Sequence, residues 1–110
     1  MFVVVMRWEV LEGLGGRHEE NWRRQGEHLL NRPDLMGRIR FSLYLRGGEE
    51  GRGRMFLMGF DSGEELTEYN RRLSEDYEFK RLHEEWRNLI NPSTRRVEVW
   101  EACMEDLWIK

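Results

Sequence analysis

Two stretches of this chain alternate with the period of a β-strand yet are apolar on both faces. In Phe2 to Val10, the side chains of Phe2, Val4, Met6 and Trp8 point one way, and Val3 and Val5 point the other, ahead of Arg7 and Glu9. In Arg54 to Phe60, Met55 and Leu57 share one face while Phe56, Met58 and Phe60 share the opposite one. Strands of this kind belong in the interior of a sheet that is covered on both sides. Any fold for the chain must therefore supply two covers.

Helices supply the first. Ser62-Gly63-Glu64-Glu65 is a capping box, with Ser62 placed to accept from the Glu65 amide and Glu65 to reach back. Leu66, Tyr69 and Leu73 then recur at helical spacing. Ser74 restarts the pattern with Glu75 and Asp76 in a first turn, where the helix dipole favours negative charge. Phe79, Leu82, Trp86 and Leu89, with Ile90, continue one apolar stripe until Pro92 bars further helix. An earlier, thinly apolar helix is predicted over His18 to Asn31, with His18, Trp22 and Leu29 near one face and Pro33 ending it. Gly26 costs about 1 kcal/mol relative to Ala in a helix interior, so it is expected to mark a close approach to the sheet.

The remaining strands are predicted over Arg38 to Arg46, where Ile39, Phe41, Leu43 and Leu45 alternate with Arg40, Ser42 and Tyr44, and over Arg96 to Ala102. Gly47 to Gly53 joins two strands as a glycine-rich hairpin connection. The order strand, helix, strand, strand, helix pair, strand is the split βαβ pattern of a ferredoxin-like α+β fold, here a single domain over residues 1–110 with its second helix split. That topology puts every helix on one face of the sheet. At ~1.5–3 kcal/mol per fully buried large side chain, four or five apolar groups left bare on the other face forgo on the order of 10 kcal/mol. A whole domain is stable by only about 5–15 kcal/mol. Two covers are open: a second subunit, making a homodimer, or the apolar tail Leu107-Trp108-Ile109 folded back over its own sheet.

Composition narrows the function classes. The net charge is −3, with 18 basic residues, sixteen of them Arg, mixed among 21 acidic ones, so long-range attraction to a phosphate backbone is weak. Arg52 to Phe60 loosely matches the third-strand signature of RNA-recognition motifs. Arg54 and Gly59, however, stand where stacking aromatics are required, so no nucleic-acid partner is expected. No apolar run approaches the ~20 residues of a membrane helix. Met1 to Met6 lacks the charged start and the length of a signal peptide, so the expectation is a cytoplasmic protein with no membrane partner. The single Cys103 has no internal disulfide partner, and the dispersed His18, His28 and His83 do not have the spacing of a metal site. Neither a Ser-His-Asp signature nor a G-x-G-x-x-G loop is present.

Phe60-Asp61-Ser62 leading into Glu65-Leu66-Thr67-Glu68-Tyr69, then Phe79-Lys80-Arg81-Leu82-His83, resembles the dimeric α+β barrel superfamily in both pattern and topology. The stretch Asp76-Tyr77-Glu78-Phe79, with Pro92 and Val97-Glu98-Val99-Trp100-Glu101, is the most NIPSNAP-like part, and antibiotic-biosynthesis-monooxygenase-like domains are the other near branch. The resemblance covers nearly the whole chain. It implies a homodimer whose sheets form a shared barrel, with a small-molecule pocket between sheet and helices in each subunit. Fold alone carries no function.

Within that resemblance, His83 and Tyr69 are the candidate catalytic residues, and Trp22, Trp86, Trp100, Arg7, Asn70 and His18 the candidate substrate-binding residues. Trp22, Tyr69, Trp86 and Trp100 suit a planar substrate, with His83 or His18 as base and Tyr69, Arg7 or Asn70 as hydrogen-bond partners. The plainer account is that these aromatics fill the core and that His83 is a boundary histidine bonded to a neighbour. The implied function is a cofactor-independent monooxygenase acting on an aromatic or polyketide-like small molecule. The alternative is a non-catalytic dimeric small-molecule-binding or stress-response module of NIPSNAP type. A third reading takes His83 as a haem ligand, as in the haem-degrading members. Tyr69, though, replaces their tryptophan, and Met6-Arg7 offers no asparagine, so the expected cofactor is none.

Overall fold

The computed structural model describes residues 1–103. Four strands, β1 (Phe2–Val10), β2 (Ile39–Gly47), β3 (Gly53–Phe60) and β4 (Ile90–Glu101), form one sheet in the order β2-β3-β1-β4. Every adjacent pair is antiparallel. The helices are α1 (Gly15–Leu30), the one-turn α2 (Pro33–Met36), α3 (Gly63–Ser74) and α4 (Tyr77–Arg87). This is the ferredoxin-like α+β fold with a split second helix. None of the helices among the described residues is long and apolar enough to cross a membrane. The apolar tail residues Leu107, Trp108 and Ile109 lie outside the described residues.

The two strands with double apolar faces, β1 and β3, are the central pair of the sheet, as their patterning requires. In register, Val4 lies opposite Met58 and Met6 opposite Phe56 on the helix side, while Val3 lies opposite Gly59 and Val5 opposite Leu57 on the outer side. Val4, Leu35, Met58, Phe60 and Tyr69 form one buried cluster under α3, and Trp8, Val10, Trp86 and Ile90 form a second under α4. The outer side continues through Leu43 and Leu45 on β2 and Trp100 on β4, which are 52%, 45% and 60% exposed. On that side the Phe41 ring lies so close over Gly59 that a Cβ there would sit 2.1 Å from its Cε1.

Several boundaries differ from the sequence-based expectation, each for a local reason. Helix α1 begins at Gly15, three residues before His18. Pro33 does more than end a helix: its fixed φ suits a first helical position, and it opens α2. Ser74 completes α3, and the α4 cap is Asp76, whose carboxylate accepts from the Phe79 amide at 2.8 Å. The Ser62 cap of α3 forms at 3.2 Å, while the Glu65 carboxylate pairs with Arg38 at 3.0 Å. Strand β4 starts at Ile90, before Pro92, because a bulge absorbs the proline. Arg7 faces Arg96 while Glu9 faces Asn91, so residues 92–95 swell out of the ladder.

The exteriors of three helices carry the same charge arrangement. Arg23 pairs with Glu20 and Glu27, Arg71 with Glu68 and Glu75, and Arg81 with Glu78 and Glu85, one partner a turn up and the other a turn down. On the inner side of α1, Gly26 does not mark a close approach to the sheet, since a Cβ built there meets nothing within 4 Å. Gly26→Ala is accordingly expected to raise the unfolding free energy by about 1 kcal/mol, read from urea denaturation; a destabilised variant would contradict the open space at this position.

Candidate functional site

The helices do not pack down evenly on the sheet. Beside the Trp8 cluster, Trp22 of α1 stacks on Tyr44 with ring centroids 4.7 Å apart and meets Phe56 edge-on at 5.0 Å. Trp8 and Trp86 meet in a T at 5.2 Å. These five aromatic side chains prop α1 and α4 over one end of the sheet. The space left between the helices and the strands is a cavity of about 850 Å³. Val4 and Met6 of β1, and Val97 and Val99 of β4, line its sheet side. Trp22, Gln25, Tyr69, Asn70, His83 and Trp86 line the helical side, and Arg95 reaches it from the β4 bulge. Apolar walls with a few converging polar groups are what a small-ligand site requires.

Beneath this cavity lies a buried polar cluster. The indole N–H of Trp8 donates to Nε2 of His18 at 2.9 Å, and the indole N–H of Trp86 donates to the same nitrogen at 3.1 Å. An indole nitrogen can only donate, so Nε2 is the unprotonated nitrogen and the ring hydrogen sits on Nδ1. Nδ1 donates to Glu19 at 3.2 Å. The same carboxylate accepts from the Tyr44 hydroxyl at 2.9 Å and from Arg54 Nε at 2.8 Å. His18 is 0% exposed. Its burial lowers the imidazole pKa, partly opposed by Glu19. Burial in turn pushes up the Tyr44 phenol, with Glu19 adding to it.

The cavity brings together five of the residues singled out from sequence: His83, Tyr69, Asn70, Trp22 and Trp86. The His83 ring stacks between neighbours on its own helix, 5.6 Å from Phe79 and 5.1 Å from Trp86, and hydrogen-bonds to no described residue. Desolvation lowers its pKa, reinforced by the nearby Arg95 and Arg87. Tyr69 is 2% exposed, and burial pushes its phenol up to about 12. Three candidates lie elsewhere. Arg7 and Trp100 sit on the outer side of the sheet, where strand alternation sends them, and Arg7 pairs there with Glu98 at 3.6 Å. His18 is sealed below the cavity with both its nitrogens engaged, so it is not available as a base.

Tyr44, Gln25 and Arg95 belong to the site and were not singled out from sequence. Tyr44 sat on what read as the polar face of β2. Its pairing with Phe56 across the hairpin was the available signal. Arg95 shares the alternation of Val97 and Val99, but the bulge hid it ahead of the expected strand start. Among the described residues no three His, Cys, Asp or Glu side chains gather as a metal site.

The buried imidazole makes a direct prediction. His18→Phe leaves two buried indole donors without an acceptor, each worth ~1–3 kcal/mol, so a loss of about 2–6 kcal/mol is expected from denaturant unfolding. For the pH dependence, the folded-state pKa of His18 lies below its ordinary value of 6.5, so the unfolded chain binds the proton first. Stability is therefore full above pH 6.5 and falls as the pH drops below it. His18→Gln, which keeps an acceptor, is expected to flatten that fall between pH 7.5 and 5.5, leaving the smaller slope due to His83; an unchanged slope would refute the assignment.

No protein-family model matches the sequence, and no curated protein matches it either. Solved structures do match the fold. A NIPSNAP domain protein of Burkholderia xenovorans superposes with a TM-score of 0.70 at 10% identity, covering 94% of this chain and 95% of that one. SnoaB, a cofactor-independent oxygenase from Streptomyces nogalater, gives 0.66 at 15% identity over 92% and 91%. An antibiotic biosynthesis monooxygenase gives 0.71 at 12% identity over 94% and 99%. At these identities the likeness speaks to architecture alone. The chain has the ferredoxin-like α+β fold of the NIPSNAP and antibiotic-biosynthesis-monooxygenase-like proteins.

Proposed function

We propose that this protein is a cofactor-independent monooxygenase acting on an aromatic or polyketide-like small molecule, and that it works as a homodimer in the cytoplasm. The observation that carries the reading is the cavity of about 850 Å³ that opens onto His83 and Tyr69 and gives a substrate room beside both. Its lowered pKa keeps the His83 imidazole neutral at pH 7, so it is free to take a proton from an acidic C–H of the bound ring system. Tyr69, its pKa pushed up to about 12, stays protonated and donates to the oxygen on which the charge collects, with the Asn70 amide beside it. The resulting carbanion passes electrons to O₂, forms a carbon–oxygen bond and takes back the proton from His83 as a hydroperoxide. The hydroperoxide then loses water, leaving a carbonyl. One oxygen atom ends in the product and the other in water, and the substrate supplies every electron. The fold likeness to SnoaB is a second support.

The homodimer follows from the outer side of the sheet. Phe41, Leu43, Leu45 and Trp100 are exposed there, next to Val3, Val5, Met55 and Leu57. A second copy stacked on this side removes them from water at ~25 cal/mol per Å² of apolar surface. The charges around it, Arg7, Arg96 and Glu98, are of both signs and suit a self-complementary rim.

Two measurements test this reading. With a hydroxyanthrone as substrate, an oxygen electrode should record uptake with water rather than peroxide as the second product. His83→Ala should slow it by roughly 100-fold or more while the compound still quenches tryptophan fluorescence. Quenching without oxygen uptake by the native protein would point to the binding module instead. Sedimentation should show a dimer that Leu43→Glu converts to monomers; a native monomer at all concentrations would overturn the dimer.

A further inference from the structure

Arg95 is the one cavity-lining cation that no described carboxylate neutralises. Arg23, at the cavity edge, is held by Glu20 and Glu27, whereas Arg95 enters no ion pair with a described residue. Its Nε is buried and has no hydrogen-bond partner. A buried donor in that state costs about 1–3 kcal/mol and calls for an explanation. The guanidinium is held in place all the same, its central carbon 5.4 Å from the centroid of the Trp86 ring, which also stacks on His83. The β4 bulge turns this residue into the cavity beside Val97 and Val99. The result is an oriented, preformed and uncompensated positive charge at one end of an aromatic-walled space.

We propose that Arg95 is the anion anchor of the cavity, and that the ligand is a flat aromatic compound carrying an ionised oxygen, either a carboxylate or a phenolate. This rests on the small-molecule reading above and adds the charge class of the ligand. The planar fork of Arg suits two-point contact with a carboxylate, and the apolar walls strengthen the attraction relative to open water. Trp22 borders the space for the ring system, while the oxyanion meets the terminal nitrogens of Arg95 at the cavity wall. A phenolate held in this way is richer in electrons than the phenol, which favours its reaction with O₂.

The test compares 2-naphthoate, 2-naphthamide and 2-naphthol by tryptophan quenching and absorbance, with the native protein and with Arg95→Met. The methionine keeps an apolar stem over Trp86 and removes an unpartnered buried donor, so the variant is expected to fold at least as well as the native chain. The native protein should bind naphthoate at least 10-fold more tightly than naphthamide, and Arg95→Met should abolish that preference while naphthamide binding stays within about 3-fold. If the natural group is a phenolate, bound naphthol should also ionise at a lower pH in the native protein than in Arg95→Met. If it is a carboxylate, naphthol should bind as the neutral phenol and only naphthoate should respond to the variant. Equal binding of naphthoate and naphthamide by the native protein, or a preference that survives in Arg95→Met, would overturn the anchor while leaving the cavity a ligand site. Quenching by none of the three compounds would overturn the small-molecule reading and the anchor with it.

Discussion

One imidazole nitrogen receiving two indole N–H groups holds this molecule in its working shape. Trp8 comes from β1, Trp86 from α4 and His18 from α1, so the three central pieces of the helix-covered face meet at a single acceptor. Each indole N–H is buried, and an unpaired buried donor is costly. The geometry that satisfies both fixes the height and rotation of both helices over the sheet. Glu19, Tyr44 and Arg54 extend the cluster to β2 and β3, so three of the four strands and both α1 and α4 have a polar tie to the same point. Aromatic bulk around it keeps α1 and α4 from closing further onto the strands. The cavity is a consequence of that spacing.

The division of labour among the histidines follows from what each faces. His18 has both nitrogens occupied and no path to solvent, and it acts as a rivet. His83 is only partly buried and its neighbours only stack, so its nitrogens have no hydrogen-bond partner among the described residues. Tyr44 and Tyr69 differ in the same way: the first gives its hydroxyl to Glu19, and the second bonds to no described residue and borders the cavity. Residue type did not distinguish these roles; the presence or absence of a committed partner did.

The architecture was legible from the chain because it rests on periodicity. Strand alternation in Phe2 to Val10 and Arg54 to Phe60 identified the central pair, and the capping signal at Ser62 located α3 to the residue. The misread positions are those where local rules compete. Asp76 rather than Ser74 caps α4 because its carboxylate is also held by His28 and Arg32, a long-range arrangement invisible in a local window. Pro92 sits inside a strand because a bulge frees it from the ladder, and the same bulge concealed Arg95. Tyr44 looked like a surface residue because nothing nearby in sequence announces Glu19 as its partner. In the site, aromatic spacing separated the cavity-lining Trp22 and Trp86 from nothing else; only strand register sends Trp100 to the far side of the sheet.

The repeated Glu-Arg-Glu arrangement on α1, α3 and α4 has a consequence for how the fold responds to ionic strength. These ion pairs are exposed, each contributes little to stability, and added electrolyte screens them over ~8 Å at physiological concentration. The Trp-His-Trp junction, by contrast, lies where mobile ions do not reach. Concentrated salt should therefore loosen the outer coat of the helices while the frame beneath keeps its dimensions, so that electrolyte tolerance and acid tolerance in this protein are set by different residues.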